Sequence, residues 1–295
     1  MYELIQAGER TFYLECPAKI GIFLEDPEHV WLIDSGNDKK AGKKVLKVLD
    51  SRGWALSGII NTHSNADHIG GNSLLQKRTG CKIYSTGLEN AFTEYPVLEP
   101  SFLYGGYPCR QLRSKFLMAE PCKPTGTVEE FLPAGMEFFR LGGHFFDMIG
   151  LKTADGVCFL ADCLFGETII TKYHLNFIYN VAEYLRTLDR VEQMKAELFV
   201  PAHAPAVKDI RPLVQINRDK VHEIAGKITS FCEPPSSFEE ILRHIFDFYS
   251  LKMTFEQYAL VGSTVRSYLS YLQDTEKLQA IFSENRMLYR QTVTN

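Results

Sequence analysis

Eight side chains in this sequence could do chemistry together: Asp34, His63, Asn65, Asp67, His68, His144, Asp162 and His203. Imidazole and carboxylate are the donors that borderline divalent metals favour, and a hydrolytic centre built from them leaves one position for water. His63, Asp67 and His68 crowd into the segment Thr62-His-Ser-Asn-Ala-Asp-His68, with the neutral amide of Asn65 among them. The others close the runs Leu-Ile-Asp34, Leu-Gly-Gly-His144, Phe-Leu-Ala-Asp162 and Pro-Ala-His203. A single histidine of this kind is more often a hydrogen-bonded core residue than a ligand. Five clusters, each ending an apolar run, outweigh that reading.

The elements around them read as strand ends. Ile20–Leu24 and Val30–Asp34 flank the turn residues Asp26-Pro27-Glu28 and form a hairpin, and Asp38 can cap a helix to about Arg52. Ser57–Thr62 is a buried strand leading into His63, a short helix follows Gly71 to about Arg78, and Lys82–Ser85 is a further strand. Glycines beside His68 and before His144 let the backbone bend closely around an ion. Alternation returns at Met136–Leu141 and Val157–Leu160. Asn180 with Glu183 reads as a capping pair for a helix presenting Leu185, Leu188, Val191 and Met194, and Leu198–Val200 is a last short strand. This rhythm predicts an α/β layer structure.

Residues 87–129 break it, with five prolines, four glycines and six aromatics (Phe92, Tyr95, Phe102, Tyr104, Tyr107, Phe116) in no clean period. A lid shaping an apolar substrate pocket, a self-packed loop and a dimer contact are all open readings of that insert. Beyond Asp209 the chain turns helical, at Phe238–Phe248 and Phe255–Leu272, and ends in a hairpin around Glu284-Asn285. Helices followed by such a hairpin resemble a winged-helix module, so residues 1–208 and 215–295 are expected as two domains.

Composition narrows the function. Of 295 residues, 45% are hydrophobic and 23% charged, as an ordinary folded core requires, and the net charge of −4 offers nucleic acid or an anionic membrane nothing. From residue 215 onward nine Lys and Arg face ten Asp and Glu, and the expected recognition helix holds only Arg266. Phosphate binding needs a patch of cations, so packing or homodimer formation is the better reading of that tail. No apolar run could span a bilayer. Met1–Arg10 carries charges where an export signal needs an apolar block. Seven cysteines at irregular spacing suit reduced thiols in the cytoplasm.

The order and spacing of the five clusters resemble the metallo-β-lactamase superfamily over roughly the first 208 residues. The resemblance implies a four-layer αββα sandwich with the site at one edge of its two sheets. It implies that His63 and His144 bind a first metal, with Asn65 in the slot where the pattern His-x-His-x-Asp-His has a second imidazole. Asp67, His68 and His203 would bind a second metal, Asp162 would bridge the two, and Asp34 would hold the ligand loop by hydrogen bonds. The implied activity is metal-dependent hydrolysis of a small acyl-type molecule, such as a thioester or lactone, by a metal-bound hydroxide. Asp67 and Asp162 are then the catalytic residues. Zinc is the implied cofactor, as one or two ions, with iron or manganese as the alternative at the weaker site. The segment Gly-Gly-His144-Phe-Phe-Asp departs from the Gly-His-Thr-x-Gly form common in glyoxalase-type thioesterases. Two other readings stand beside hydrolysis: an iron-dependent redox enzyme on the same fold, and a catalytically weak ligand-binding or regulatory protein.

Among the remaining candidates, Tyr173 and His174 could reach the cleft, although a structural histidine is the commoner case. His29, His222 and His244 read as structural or surface, and Cys163 as buried core rather than a ligand, pointing away from Asp162 along a strand. Asn65 sets a testable asymmetry, because an amide oxygen is a weaker donor than imidazole, and the side chain could equally hydrogen-bond nearby backbone while water fills that slot. Metal analysis of the purified protein is expected to show the second position filled first, and Asn65→His to equalise the two. Two equally tight zinc ions in the unmodified chain would contradict it.

Overall fold

The structure, a computed structural model, describes residues 2–292. Its first sheet takes seven strands in chain order: β1 (Glu3–Gln6), β2 (Thr11–Glu15), β3 (Ile20–Leu24), β4 (His29–Ile33), β5 (Ala55–Ile60), β6 (Lys82–Ser85) and β7 (Gly126–Thr127). Pairing is antiparallel as far as β4 and parallel from β4 to β7. Its connections hold α1 (Lys39–Arg52), α2 (Ala66–Ile69), α3 (Asn72–Thr79), α4 (Gly87–Glu94) and α5 (Leu98–Tyr104). The second sheet consists of β8 (Met136–Arg140), β9 (Ile149–Thr153), β10 (Val157–Phe159) and β11 (Leu198–Val200), in the order β11-β10-β9-β8. The helices α6 (Glu167–Tyr173) and α7 (Val181–Glu192) join its last two strands. The chain finishes with α8 (Arg211–Ser230), α9 (Phe238–Phe248), α10 (Phe255–Asp274) and the hairpin β12 (Leu278–Ser283) and β13 (Arg286–Gln291).

Alternating side chains sort each strand into layers. In β3 to β5, Phe23, Trp31, Ile33 and Ile60 point toward the second sheet, where they meet Ile149, Leu151, Val157 and Phe159. Their neighbours Ile22, Val30, Leu32 and Ile59 point the other way, onto Val45 and Leu49 of α1 and Leu75 of α3. On the outer face of the second sheet, Cys158 and Leu160 pack with Tyr184, Leu188 and Val191 of α7, and that cluster runs on through α8, α9 and α10. Helix, sheet, sheet and helix are thus the four layers of an αββα sandwich. Each fully buried aliphatic side chain stabilises this arrangement by about 1.5–3 kcal/mol.

Local signals start and stop the helices as expected. The Asp38 carboxylate accepts the amides of Lys40 and Ala41 at 2.8 and 3.1 Å, and Gly53 ends α1 at φ 67°. Ser237 and Glu240 form a reciprocal cap on α9. Asn180 caps α7 through the Glu183 amide, but the Glu183 carboxylate turns outward to Arg186, so the expected reciprocal bond is absent. The turn Glu284-Asn285 has both residues at positive φ (51° and 59°), as a two-residue hairpin turn demands.

Several elements escaped the pattern reading. β9, Ile-Gly-Leu-Lys-Thr, is buried on both faces and so lacks alternation. β1 and α6 are short surface elements with no fully buried residue. The 87–129 insert is more regular than expected because none of its prolines interrupts a helix: Pro96 separates α4 from α5, and Pro100 lies in the first turn of α5, where a missing N–H costs nothing. Cys163 is buried as expected, yet it ends a single 3-10 turn, Ala161–Cys163, instead of continuing a strand.

Gly143 combines a positive φ with a close backbone approach. Its φ is +116°, and a Cβ there would lie 2.4 Å from the backbone of Tyr184 at the start of α7. Gly143→Ala combines backbone strain with overpacking, each worth about 1–3 kcal/mol. It is expected to lower the urea unfolding midpoint by the equivalent of at least about 2 kcal/mol. An unchanged midpoint would refute this role.

Candidate metal centre

All the singled-out ligand types emerge at one edge of the sandwich, just beyond the C-terminal ends of strands. Asp34 follows β4, the His63–His68 loop follows β5, Asp162 follows β10 and His203 follows β11, while His144 lies in the β8–β9 connection. The two sheets are joined there directly, since the Ile149 amide of β9 donates to the Thr62 carbonyl at 2.9 Å. Gly70 lets the ligand loop close on its neighbour, because a Cβ there would lie 2.3 Å from the Asn37 backbone.

Each imidazole is fixed through Nδ1 and turns Nε2 inward. His68 Nδ1 lies 2.7 Å from Asp34 Oδ2, which also accepts the Thr62 hydroxyl at 2.7 Å. That hydroxyl oxygen is 3.0 Å from His63 Nδ1, and Asp34 Oδ1 takes the Thr62 amide at 2.8 Å. His144 Nδ1 meets the Phe177 carbonyl, and His203 Nδ1 the Pro17 carbonyl, both at 2.9 Å. A carbonyl only accepts, so Nδ1 of His144 and His203 carries the proton.

The donors gather into two groups, His63 with His144 and Asp162, and Asp67 with His68 and His203, each with its donor atoms within 4.8 Å of one another. Asp162 stands between them: Oδ1 is 2.9 Å from His68 Nε2, while Oδ2 is 3.2 Å from His203 Nε2 and 3.6 Å from His144 Nε2. Asp67 Oδ2 is 3.3 Å from His203 Nε2. Despite that proximity, the buried atoms His63 Nε2, His68 Nε2 and Asp162 Oδ1 make no hydrogen bond. They aim past one another, and a buried unpaired polar atom costs about 1–3 kcal/mol.

The two groups differ electrically. Burial, reinforced by the charge of His68, holds the His63 pKa well below its ordinary value, and burial lowers that of His144. Burial pulls His68 and His203 the same way, but there it is overcome. Asp162, Asp34 and Asp67 raise His68 well above 6.5, and Asp162 and Asp67 raise His203 to about 10. Burial disfavours the charged forms of Asp67 and Asp162, yet the same two imidazoles keep both carboxylates well below their usual range.

The remaining candidates separate. Tyr173 lines the cavity over this centre, whereas His174 faces away, stacked on Tyr249 with Nδ1 3.3 Å from Lys220 Nζ. His29 pairs with Asp26 at the surface, His244 stacks on Phe231, and His222 is exposed. Two carboxylates that no sequence pattern singled out turn out to matter. Glu89, buried, accepts the Ser64 amide at 2.9 Å, the Ser64 hydroxyl at 2.6 Å and the Asp147 amide at 2.7 Å, clamping the His63 loop to the His144 loop. Glu99, also buried, accepts the Asn65 Nδ2–H at 2.9 Å. Both come from the 87–129 insert, where only a glutamate in an apolar helix face hinted at them.

This fold and edge site define a class. A family model of the metallo-beta-lactamase superfamily matches residues 22–203, and the chain belongs to that superfamily. Among curated relatives it is 46% identical over 46 residues to a hydroxyacylglutathione hydrolase of Methylococcus capsulatus, covering 16% of this chain and 18% of that one. It is 26% identical over 134 residues to one of Brucella ovis, covering 43% and 51%. The chain therefore spans about half the length, or less, of these relatives. Among solved structures, a beta-lactamase domain protein from Burkholderia ambifaria superposes with a TM-score of 0.72 at 16% identity, over 98% of this chain and 95% of that one. A metallo-beta-lactamase family protein from Thermus thermophilus gives 0.71 at 17% identity, over 96% and 98%. A metallo-beta-lactamase from Pontibacter korlensis gives 0.59 at 15% identity over 75% of this chain and 99% of its own. At these identities the likeness is one of fold.

Asn65 illustrates how the site is held. With Nδ2 committed to Glu99, its Oδ1 faces His144 Nε2 at 3.1 Å. Because His144 Nδ1 holds the ring proton, these are two lone pairs facing each other, an arrangement that a cation between them would relieve. Glu99→Leu removes the acceptor that orients the amide. It is expected to weaken zinc binding at the His63 group by about 10–100-fold, the usual effect of losing a ligand's partner, and Glu99→Gln to weaken it less. Chelator competition measures this, and equal affinities in all three proteins would refute the orienting role.

Proposed function

We propose that this protein is a metal-dependent hydrolase of acyl-type substrates such as thioesters or lactones, with Asp67 and Asp162 as its catalytic carboxylates. The observation that carries the reading is the set of buried, unpaired donor atoms, His63 Nε2, His68 Nε2 and Asp162 Oδ1, converging where two donor groups meet. Nitrogen and oxygen donors of this kind suit zinc, and also iron or manganese. The residues fit a divalent ion in each group: His63, His144 and Asp162, with Asn65 Oδ1, in one, and Asp67, His68 and His203 in the other. Asp162 is shared. Bound there, such ions lower the pKa of water and polarise an acyl oxygen.

The chain's own contribution is orientation. Asp34, Thr62, Phe177 and Pro17 hold the imidazoles in place, which spares the site reorganisation during reaction. Asp67 is the carboxylate most open to the cavity, with its side chain 43% exposed against 7% for Asp162. It accepts a hydrogen bond from the attacking water and aims its oxygen at the acyl carbon. In the hydrolysis the acyl–sulfur or acyl–oxygen bond breaks, a carbon–oxygen bond to water forms, and the leaving thiol or alcohol takes up a proton. The thioester option draws on the hydroxyacylglutathione hydrolases among the relatives.

Protein stripped by chelator and reloaded with zinc, manganese or iron is expected to regain thioester or lactone hydrolysis. Asp162→Asn should lose more than the roughly 10–100-fold that removing an outer partner costs. Oxygen consumption by the iron form without hydrolysis would favour redox chemistry instead, and no turnover in any form would favour a ligand-binding role. Proton competition supplies an independent check. His68 and His203 must give up protons to bind an ion, whereas His63 and His144 are neutral already at pH 7. Affinity at the Asp67 group is thus expected to climb as pH rises toward 10, with proton release in calorimetry, and to change far less at the His63 group. Equal pH slopes would contradict this.

A further inference from the structure

The donor groups form the floor of a cavity of about 490 Å³, which Asn65, Asp67, His144, Asp162 and His203 line together. That size is ordinary for a small-molecule site. Its walls are chemically one-sided. They begin at the donors themselves, with the Phe165 ring stacked parallel to His203 at 5.9 Å and the Phe177 ring edge-on to His144 at 5.6 Å. Farther out, Phe116 and Leu117 come from the insert, Ile169 from α6, and Leu260 from α10. The insert and α10 pack against each other through Leu103, Leu117 and Ala259, so the C-terminal helix completes the wall.

Charge is distributed just as unevenly. Among the described lining residues, Lys115 is the single lysine or arginine. Its side chain is 79% exposed and its ammonium is held 3.2 Å from Asp38. Asp67 and Asp162 add negative charge to the lining. A substrate carboxylate placed against the apolar outer walls, away from the histidines of the floor, would leave water with no lysine or arginine among the described lining residues to receive it except the Asp38-paired Lys115. A methylene chain or an aromatic ring would gain by entering.

We propose that this cavity is an acyl-binding site and that the protein selects substrates with an uncharged, apolar acyl group over those carrying carboxylates, glutathione conjugates included. The proposal rests on the hydrolase reading for its chemistry, but its central claim is one of binding. Full-length, zinc-loaded protein would be assayed on N-acetylcysteamine thioesters from acetyl to decanoyl, on adipoyl thioester, and on lactoylglutathione. The value of kcat/KM is expected to rise by about fourfold per methylene, the equivalent of about 0.8 kcal/mol, until the cavity is full. Adipoyl is expected to fall below hexanoyl by more than tenfold. Ile169→Trp, on a helix without fully buried residues, should penalise decanoyl at least tenfold more than acetyl. Leu260→Arg should raise adipoyl relative to hexanoyl.

Calorimetric titration with decanamide and acetamide reads the same preference without turnover. Decanamide should bind with a negative heat-capacity change and acetamide should show no binding. Decanamide binding that Ile169→Trp weakens supports the site even if every thioester resists hydrolysis, in which case only the catalytic reading fails. Turnover that is flat across chain length, or fastest for lactoylglutathione, overturns the proposal. So does decanamide binding no tighter than acetamide.

Discussion

The Asp34 carboxylate is the constraint on which the rest of the edge depends. With the Thr62 amide and hydroxyl and the His68 ring around it at 2.7–2.8 Å, it fixes one imidazole directly and a second through the Thr62 hydroxyl. Those imidazoles belong to different donor groups, so a single buried carboxylate sets the distance between them. Asp34 holds φ at 63°, an uncommon backbone state for a non-glycine residue. Strain of this sort persists where surrounding bonds over-determine it. Hydrogen bonds to a charged acceptor are strong enough to do that.

The edge that gathers the candidate metal donors was legible because each of its donors ends an apolar run, and such runs are what a strand pattern reveals. Asp34, His63, His68, Asp162 and His203 needed only their strands to be found. Asn65 was legible as an anomaly. Its orientation was not, because that depends on Glu99, thirty-four residues away in a stretch without clean period. Glu89 was hidden for the same reason. β9 and α5 were missed where burial on both faces, or a proline in the first helical turn, erased the usual signals. Local patterns encode elements, but they do not encode which elements touch.

A division of labour follows along the chain. The residues that match the superfamily, 22–203, include every candidate metal donor. The cavity walls borrow from beyond that segment, since α10 supplies Gln257, Leu260, Val261 and Thr264. The helices of the C-terminal part share one apolar cluster with the outer face of the second sheet. A change in the packing of those helices is therefore felt at the cavity wall before it reaches the donor groups.

The bond from the Ile149 amide to the Thr62 carbonyl carries a mechanical consequence. It rivets one sheet to the other directly behind the ligand loop, at the residue whose hydroxyl braces His63. Any sliding of the sheets must shear that rivet and drag an imidazole with it. Rigidity of the sandwich and geometry of the donor groups are then a single property. The amide of Ile149 should be among the slowest in the protein to exchange its proton with solvent.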